Sequence, residues 1–289
     1  MVFNLLLLSY LFKLSNFYIL VDVKLQSELI LSGPKYEGIY LFDVKANSVK
    51  KLSEGNAYKL ALSPARDRIV YRDYNKVKLL HFDGTERVVA EQPEKVGFPV
   101  WVDDTLIAYT YNGEILIVDT LGNLKHSISG VRSYYIDYSP KAKMFAFQED
   151  DQIYLIDWSG NKKKISVEGT CFAPIFSPDG FYVAYSEISK GIYLYNLNLN
   201  ENFYVSKGSN PCFSSDGSLI AFNISQDDGH NITASEIYVY SVSGKIANKI
   251  TNTKGISEIR PIFSPDGKRI YFCTPEGQVG YLNFIKFLR

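Results

Sequence analysis

The chain has 289 residues, with 31 acidic and 31 basic side chains and a formal charge of zero. That balance argues against a broad electrostatic footprint for nucleic acid, and no nucleic-acid partner is expected. Three scattered cysteines, Cys171, Cys212 and Cys273, imply neither a disulfide framework nor a thiolate metal site, whereas 22 Tyr and 18 Phe suit the pleated, half-buried surfaces of sheets.

Residues 1–20 open the chain with Leu5-Leu6-Leu7-Leu8. Two readings compete for this segment. Residues 3–12 have the length of a strand that closes the last repeat described below. Alternatively the segment is an uncleaved anchor or signal, which would allow membrane association through Leu5–Leu8. The anchor reading is weakened by the lack of Lys or Arg before Lys13, by the missing small-x-small cleavage pattern, and by the interruptions at Asn4, Lys13 and Asn16.

A pattern close to Ile-Tyr-Leu-x-Asp then recurs seven times, beginning at Ile39, Leu79, Ile115, Ile153, Ile192, Ile237 and Val279. Six of these are preceded by a short apolar run and a tight turn, clearest as Pro174-Ile175-Phe176-Ser177-Pro178-Asp179-Gly180 and Pro261-Ile262-Phe263-Ser264-Pro265-Asp266-Gly267. Marker positions Leu60, Pro99, Ile136, Pro174, Pro211 and Pro261 are spaced by 39, 37, 38, 37 and 50 residues, the period of four-stranded propeller blades.

Each repeat reads as strands a to d from the ring centre outward. In the fifth, strand a covers 172–176 and Ser-Pro-Asp-Gly makes the turn, with proline presetting φ and glycine supplying the positive φ. Strand b covers 182–187, strand c 192–196 and strand d 203–206. The turn aspartates are therefore structural. The fold expected is a single all-β propeller of antiparallel blades at about 17–55, 57–92, 97–129, 132–168, 171–207, 209–252 and 257–284, with six blades as the alternative count. The last blade lacks a strand d, which residues 3–12 would supply, closing the ring and removing an exposed edge.

The longest spacing reflects an insertion at 225–235 between strands b and c of the sixth repeat. It reads as a solvated polar loop in which Asp227, Asp228 and His230 are exposed to a partner, with too few ligands for a cation site. Asn223-Ile224-Ser225 and Asn231-Ile232-Thr233 fit the N-glycosylation acceptor pattern. His81, His126 and His230 fall in three different blades and do not converge, so neither a histidine triad nor a histidine-rich zinc site is expected. No catalytic residue, metal site or cofactor is assigned. Cys212 sits at a strand-interior position and reads as a small buried hydrophobe.

The run Pro-x-Phe-Ser-Pro-Asp-Gly, followed by Phe181-Tyr182-Val183-Ala184-Tyr185 and Ile192-Tyr193-Leu194, resembles the WD-repeat-like propeller repeat of TolB. The likeness covers about 17–284. Similar blades occur in relatives of prolyl oligopeptidase, dipeptidyl peptidase and the tricorn protease. The resemblance implies a propeller by itself, acting mostly as an interaction platform. The hydrolase domain of those peptidases is expected to carry a Gly-x-Ser-x-Gly elbow, which this chain lacks. It also lacks the extra N-terminal domain expected of a TolB protein and the Trp-Asp dipeptide of true WD repeats.

Propellers usually bind at the channel mouth, where strands a begin. The residues expected there are Lys59, Phe98, Arg132, Tyr135, Asn210, Glu258 and Arg260, a set able to hold an anionic or peptide ligand through Arg forks and Tyr stacking. The leading expectation is a non-catalytic scaffold or subunit of a larger complex, monomeric in itself, with a protein partner and a cytoplasmic location. The alternatives are a propeller hydrolase or lyase acting on a peptide or sugar acid at the channel mouth, and a TolB-like binding module of the cell envelope.

Overall fold

The computed structural model describes residues 9–12, 14, 18–56 and 58–284. Leu5–Leu8, and with them the first part of the segment read as either closing strand or anchor, lie outside the described residues. Seven four-stranded antiparallel sheets form the molecule. Blade 1 comprises Ile19–Leu25, Glu28–Ser32, Glu37–Asp43 and Ser48–Asn56. Blade 2 follows as Leu60–Leu62, Arg68–Asp73, Lys76–His81 and Glu86–Glu91, and blade 3 as Val100–Trp101, Leu106–Tyr111, Glu114–Asp119 and Leu124–Ser129. Blade 4 is Ile136–Ser139, Met144–Glu149, Gln152–Asp157 and Lys162–Lys164; blade 5 is Cys171–Phe176, Tyr182–Glu187, Gly191–Asn196 and Glu201–Ser206. Blade 6 contains Ser209–Phe213, Leu219–Asp227, Ile232–Ser241 and Ile246–Lys249. Blade 7 contains Ile259–Phe263, Arg269–Cys273 and Val279–Asn283, with Ser9–Phe12 as its outer strand. That outer strand runs antiparallel to the last, pairing Ser9 with Leu282 and Phe12 with Val279. No helix among the described residues is long and apolar enough to cross a membrane.

There is no single core. Apolar side chains gather in layers between neighbouring blades, and the layer joining first to last combines Leu20, Leu29 and Phe42 with Tyr271, Cys273 and Val279. A blade buries its faces only against the next blade, so ring closure is part of the core itself.

Two repeated devices build each blade. The fourth residue of strand b is a fully buried large side chain all round the ring: Leu31, Tyr71, Tyr109, Phe147, Tyr185, Phe222 and Phe272. Where it is tyrosine, a buried hydroxyl needs a polar partner, and strand d of the same blade supplies it for two: Tyr71 donates to Glu86 Oε2 at 2.6 Å and Tyr185 to Asn202 Oδ1 at 2.8 Å, whereas for Tyr109 the donor at 2.9 Å is Gln92 Nε2, just after strand d of the preceding blade. The second device is the a–b turn. Ser177, Ser214 and Ser264 hydroxyls donate to Asp179, Asp216 and Asp266 at 2.5, 2.7 and 2.6 Å and accept from the backbone N–H five residues on. The Asp residues therefore tie turns on the face of the ring opposite the mouth.

The insertion at 225–235 is largely strand, which corrects the expectation of a loop. Ser225 pairs with Ser235, Gln226 with Ala234 and Asp227 with Ile232, and only 228–231 turn. The unbroken polar run at 225–231 hid a ladder that is mostly exposed beyond Ser235, since a two-stranded extension with no covering layer needs no apolar face. Strand a of blade 1 begins at Ile19, two residues later than expected, and strand a of blade 3 contains only Val100–Trp101.

Candidate functional site

Strands a begin on one face of the ring, which also carries the d-to-a connections and the b–c turns. There a cavity of about 630 Å³ opens into the channel, with Tyr36, Tyr58, Lys59, Tyr135, Asn210 and Arg260 among the residues lining it. Four of the expected mouth residues, Lys59, Tyr135, Asn210 and Arg260, thus share one cavity.

Half of the mouth is aromatic and cationic. Ring centroids run Tyr36 to Tyr58 at 4.8 Å, Tyr58 to Tyr135 at 6.5 Å and Tyr135 to Phe98 at 4.9 Å. Lys59 Nζ lies 5.5 Å from the Tyr135 centroid and donates to the Ile136 carbonyl at 3.3 Å. Burial within the channel wall holds the Lys59 ammonium below the usual lysine range, with Asp137 pulling the other way. Burial, with Tyr58 beside it, pushes the Tyr135 hydroxyl up to about 12. Arg260 donates to Tyr36 Oη at 2.8 Å, with its guanidinium 5.8 Å from that ring's centroid.

The other half is bent backbone. Ala173, Asn210 and Arg260 adopt left-handed φ of 53, 54 and 53°, each one residue before a proline and each at a bulge in its strand pairing. Bulges of this kind re-aim side chains where strands border a site, and the same place in three successive blades lines this cavity.

Below the mouth the lumen carries Asp22 and Cys212, with Asp137 in strand a of blade 4. Asp137 accepts the Phe176 N–H at 2.7 Å; burial pushes its carboxyl up against the pull of Lys59. Burial likewise raises Asp22, opposed by Arg66 at 3.6 Å. Cys212 is half-buried against this lumen, contrary to its reading as a core residue, because the bulge at Asn210 turns the strand. Burial pushes its thiol up to about 11, so it is a poor nucleophile at neutral pH.

Three expected mouth residues stand elsewhere. Phe98 is only 3 % exposed and packs beneath the rim, with the Arg72 guanidinium 3.6 Å from its ring centroid. Gly97 makes this possible: a Cβ there would fall on Thr110 Oγ1, which reaches across to the Ser133 carbonyl at 2.5 Å. Arg132, with a side chain 77 % exposed, lies one groove over between blades 3 and 4, 3.9 Å from Glu149. That groove, about 640 Å³, shares Tyr135 with the channel mouth. Glu258 is 0 % exposed and sits between blades 6 and 7, where its backbone N–H donates to the Ser235 carbonyl at 3.0 Å and Thr251 lies against its carboxyl, holding it away from the lumen. It occupies the d-to-a connection, one residue short of the strand, so the repeat register alone could not tell rim from interior.

In the hairpin turn, Asp227 Oδ1 accepts the Gly229 N–H and Asp228 Oδ1 accepts those of His230 and Asn231, at 3.0, 2.9 and 2.8 Å. His230 is exposed there. Asn223, fitted to the glycosylation pattern, is buried and fully hydrogen-bonded, so the folded chain presents only Asn231 of the two acceptors. His126 stacks on Trp158 at 5.4 Å in blades 3 and 4, far in the fold from His230. The residues that register reasoning missed are Tyr36, Tyr58, Asp22 and Asp137. Tyr58 and Asp137 immediately flank expected or marker positions in the sequence, and reading one residue either side of the marker would have found them.

Fold and mouth together define a seven-bladed β-propeller of the WD40-like kind with a polar, aromatic-rimmed channel. No family model matches the chain. Among solved structures it resembles oligogalacturonate lyase from Vibrio parahaemolyticus, with a TM-score of 0.71 at 18 % identity over 98 % of each chain. It also resembles an oligogalacturonate lyase in complex with manganese, with a TM-score of 0.68 at 19 % identity over 96 % of this chain and 91 % of that one. A chain of the mitotic checkpoint complex gives 0.71 at 14 % identity, covering 93 % and 87 %. Likeness at such identities is likeness of fold.

Proposed function

We propose that this propeller binds a carboxylate-bearing sugar acid or peptide at its channel mouth and processes it there. The observation that carries the reading is that Arg260 and Lys59 face one cavity across the Tyr36, Tyr58 and Tyr135 rim. Arg260 supplies a forked donor for a carboxylate, and the tyrosines supply stacking faces for a sugar ring or peptide plane. Lys59, kept below the usual lysine range by burial, has the character of a base. With a uronate, the proton on the carbon next to the carboxylate passes to Lys59 Nζ. A carbon–carbon double bond then forms as the β-oxygen leaves and is protonated by water.

The fold shared with oligogalacturonate lyases supports this reading. The manganese of one of those structures does not carry over. No group of three or more His, Cys, Asp or Glu among the described residues could hold a metal ion, and the proposal takes no step through one. The test is titration of the full chain with trigalacturonate and with a carboxylate-terminated peptide by calorimetry, while following the ultraviolet absorbance of an unsaturated uronate product. Binding of neither ligand overturns the reading, and binding without turnover reduces it to a binding module.

A second reading, an interaction scaffold, is favoured by the exposed Tyr58, Tyr74, Tyr134 and Ile188 on the mouth face, an apolar and aromatic display of the kind protein partners cover. A propeller chain within the mitotic checkpoint complex supports it. On that reading the chain is a cytoplasmic subunit of a larger complex. Its TolB-type repeats suit an envelope-associated module instead. Purification of the tagged chain from its own cells, with intact-mass analysis, separates these: a stoichiometric protein partner favours the scaffold, and a glycosylated or processed species the envelope.

A further inference from the structure

The fifth residue of strand b recurs as a hand-hold for the next blade. In blade 2, Arg72 donates to the Val96 carbonyl at 3.2 Å, at the entry to blade 3. In blade 3, Thr110 donates to the Ser133 carbonyl at 2.5 Å, at the entry to blade 4. In blade 6 the same position is Asn223, 1 % exposed, and its Oδ1 accepts from two places at once: Asn210 Nδ2 at 2.9 Å and the Arg260 backbone N–H at 3.2 Å. Those two residues stand at the left-handed, pre-proline bulges of blades 6 and 7. An L-residue before proline is driven toward extended backbone, so such a bulge persists only where its surroundings hold it.

Asn223 is itself fixed. Its Nδ2 donates to Ser225 Oγ at 2.9 Å and to Ser209 Oγ at 3.3 Å. Ser225 meets Ser235 Oγ at 2.9 Å, and Ser235 donates to the Glu258 carbonyl at 2.7 Å, two residues before Arg260. Gly208, with φ of 132°, lets the chain pass against this residue; a Cβ there would lie 2.7 Å from the Asn223 carbonyl.

We propose that Asn223 is a positioning residue for the channel mouth, its Oδ1 holding the Asn210 and Arg260 bulges in the arrangement that presents the Arg260 guanidinium to a carboxylate. This rests on the reading of the mouth as a carboxylate site. The role needs an acceptor at this position, and a buried amide supplies it without placing a formal charge between the blades.

The experiment compares the full chain with Asn223→Ala, Asn223→Asp and Arg260→Ala, and with Asn202→Ala as a half-buried, hydrogen-bonded amide control in blade 5. Hydrogen exchange at the Arg260 amide and calorimetric titration with trigalacturonate are the readouts. Asn223→Ala is expected to speed that amide's exchange and weaken binding by roughly tenfold or more, the loss of a hydrogen-bonded charged contact. Asn223→Asp, which keeps the acceptor but places a charge between the blades, should restore part of both while lowering the melting temperature. Asn202→Ala should lower the melting temperature and leave affinity alone. If Asn223→Ala does not fold, Asn223→Val, which likewise has no acceptor, replaces it. Wild-type affinity in the folded Ala or Val variant, or unchanged exchange at Arg260, overturns the proposal. If the wild type does not bind, or Arg260→Ala binds like wild type, the reading of the mouth fails instead. Exchange then still decides whether Asn223 holds the bulge.

Discussion

Arg260, in the last blade, donates to the hydroxyl of Tyr36, in the first, at 2.8 Å, so one hydrogen bond spans the ring closure at the lip of the channel. The guanidinium is part-exposed and adds little to folding, but its orientation is set. Arg260→Ala is expected to weaken carboxylate binding by roughly ten- to hundredfold with little change in melting temperature. Arg260→Lys should recover part of this, since an ammonium keeps the charge and loses the fork. Calorimetry with trigalacturonate measures both.

Lys59 gives a pH signature. Because burial lowers its pKa from 10.5, the neutral, proton-accepting form grows at lower pH than for a free lysine. The rate of product formation is expected to rise with pH and level off before the ordinary lysine range is reached. Lys59→Met should remove roughly 10²–10⁴ of the rate while leaving binding nearly intact, and Lys59→Arg should not restore it, since guanidinium stays charged. Turnover by Lys59→Met at the wild-type rate would show that another group is the base.

The ring was legible because propeller blades are written in short-range chemistry. The Ser-Pro-Asp-Gly turns and the seven strands c are local patterns, and each appears where its spacing places it. Buried positions such as Tyr185 and Phe222 follow from the same register. The mouth was legible only in part. Lys59, Tyr135, Asn210 and Arg260 stand where strands a begin and are positioned by the repeat itself. Glu258, Arg132 and Phe98 sit in d-to-a connections whose path depends on what they meet. Phe98 turns inward because Gly97 lets Thr110 reach Ser133, and Glu258 is drawn between blades by Ser235. These contacts join residues from different blades, and no period predicts them.

The outer strand of blade 7 offers a stability test. Leu11 packs on the layer between blades 6 and 7, and Phe12 on the layer between 7 and 1, where its ring lies 5.2 Å from Phe42 and 5.8 Å from Tyr281. Both are half-buried, so Leu11→Ala and Phe12→Ala should each cost about 1–3 kcal/mol, less than at fully buried sites. Urea unfolding at constant m-value checks this. A loss near zero for both would mean that the strand does not close the ring in solution.

Glu258 makes the last prediction, and its sign follows from counting protons. Thr251 Oγ1 accepts the Ile237 N–H at 2.8 Å and lies 2.7 Å from Glu236 Oε2 and 3.2 Å from Glu258 Oε2. One hydroxyl proton cannot serve both carboxyl groups. Lys249 lies 3.1 Å from Glu236, so the extra proton belongs on Glu258, whose Oε1 is buried with no hydrogen-bond partner among the described residues. Burial, and then the neighbouring Glu236 charge, push the Glu258 carboxyl up to about 7. A carboxyl raised in the folded state stabilises the fold fully below its unfolded value, near 4.5, and that contribution is lost as pH rises through about 7. The raised value corresponds to about 3 kcal/mol, lost across that interval. Glu258→Gln keeps the neutral hydrogen bonding and removes the titration. Relative to wild type, its stability in urea melts should therefore climb from pH 5 to about pH 7 and then level off. A difference between the two proteins that does not change with pH would place the proton elsewhere in the blade 6–7 junction.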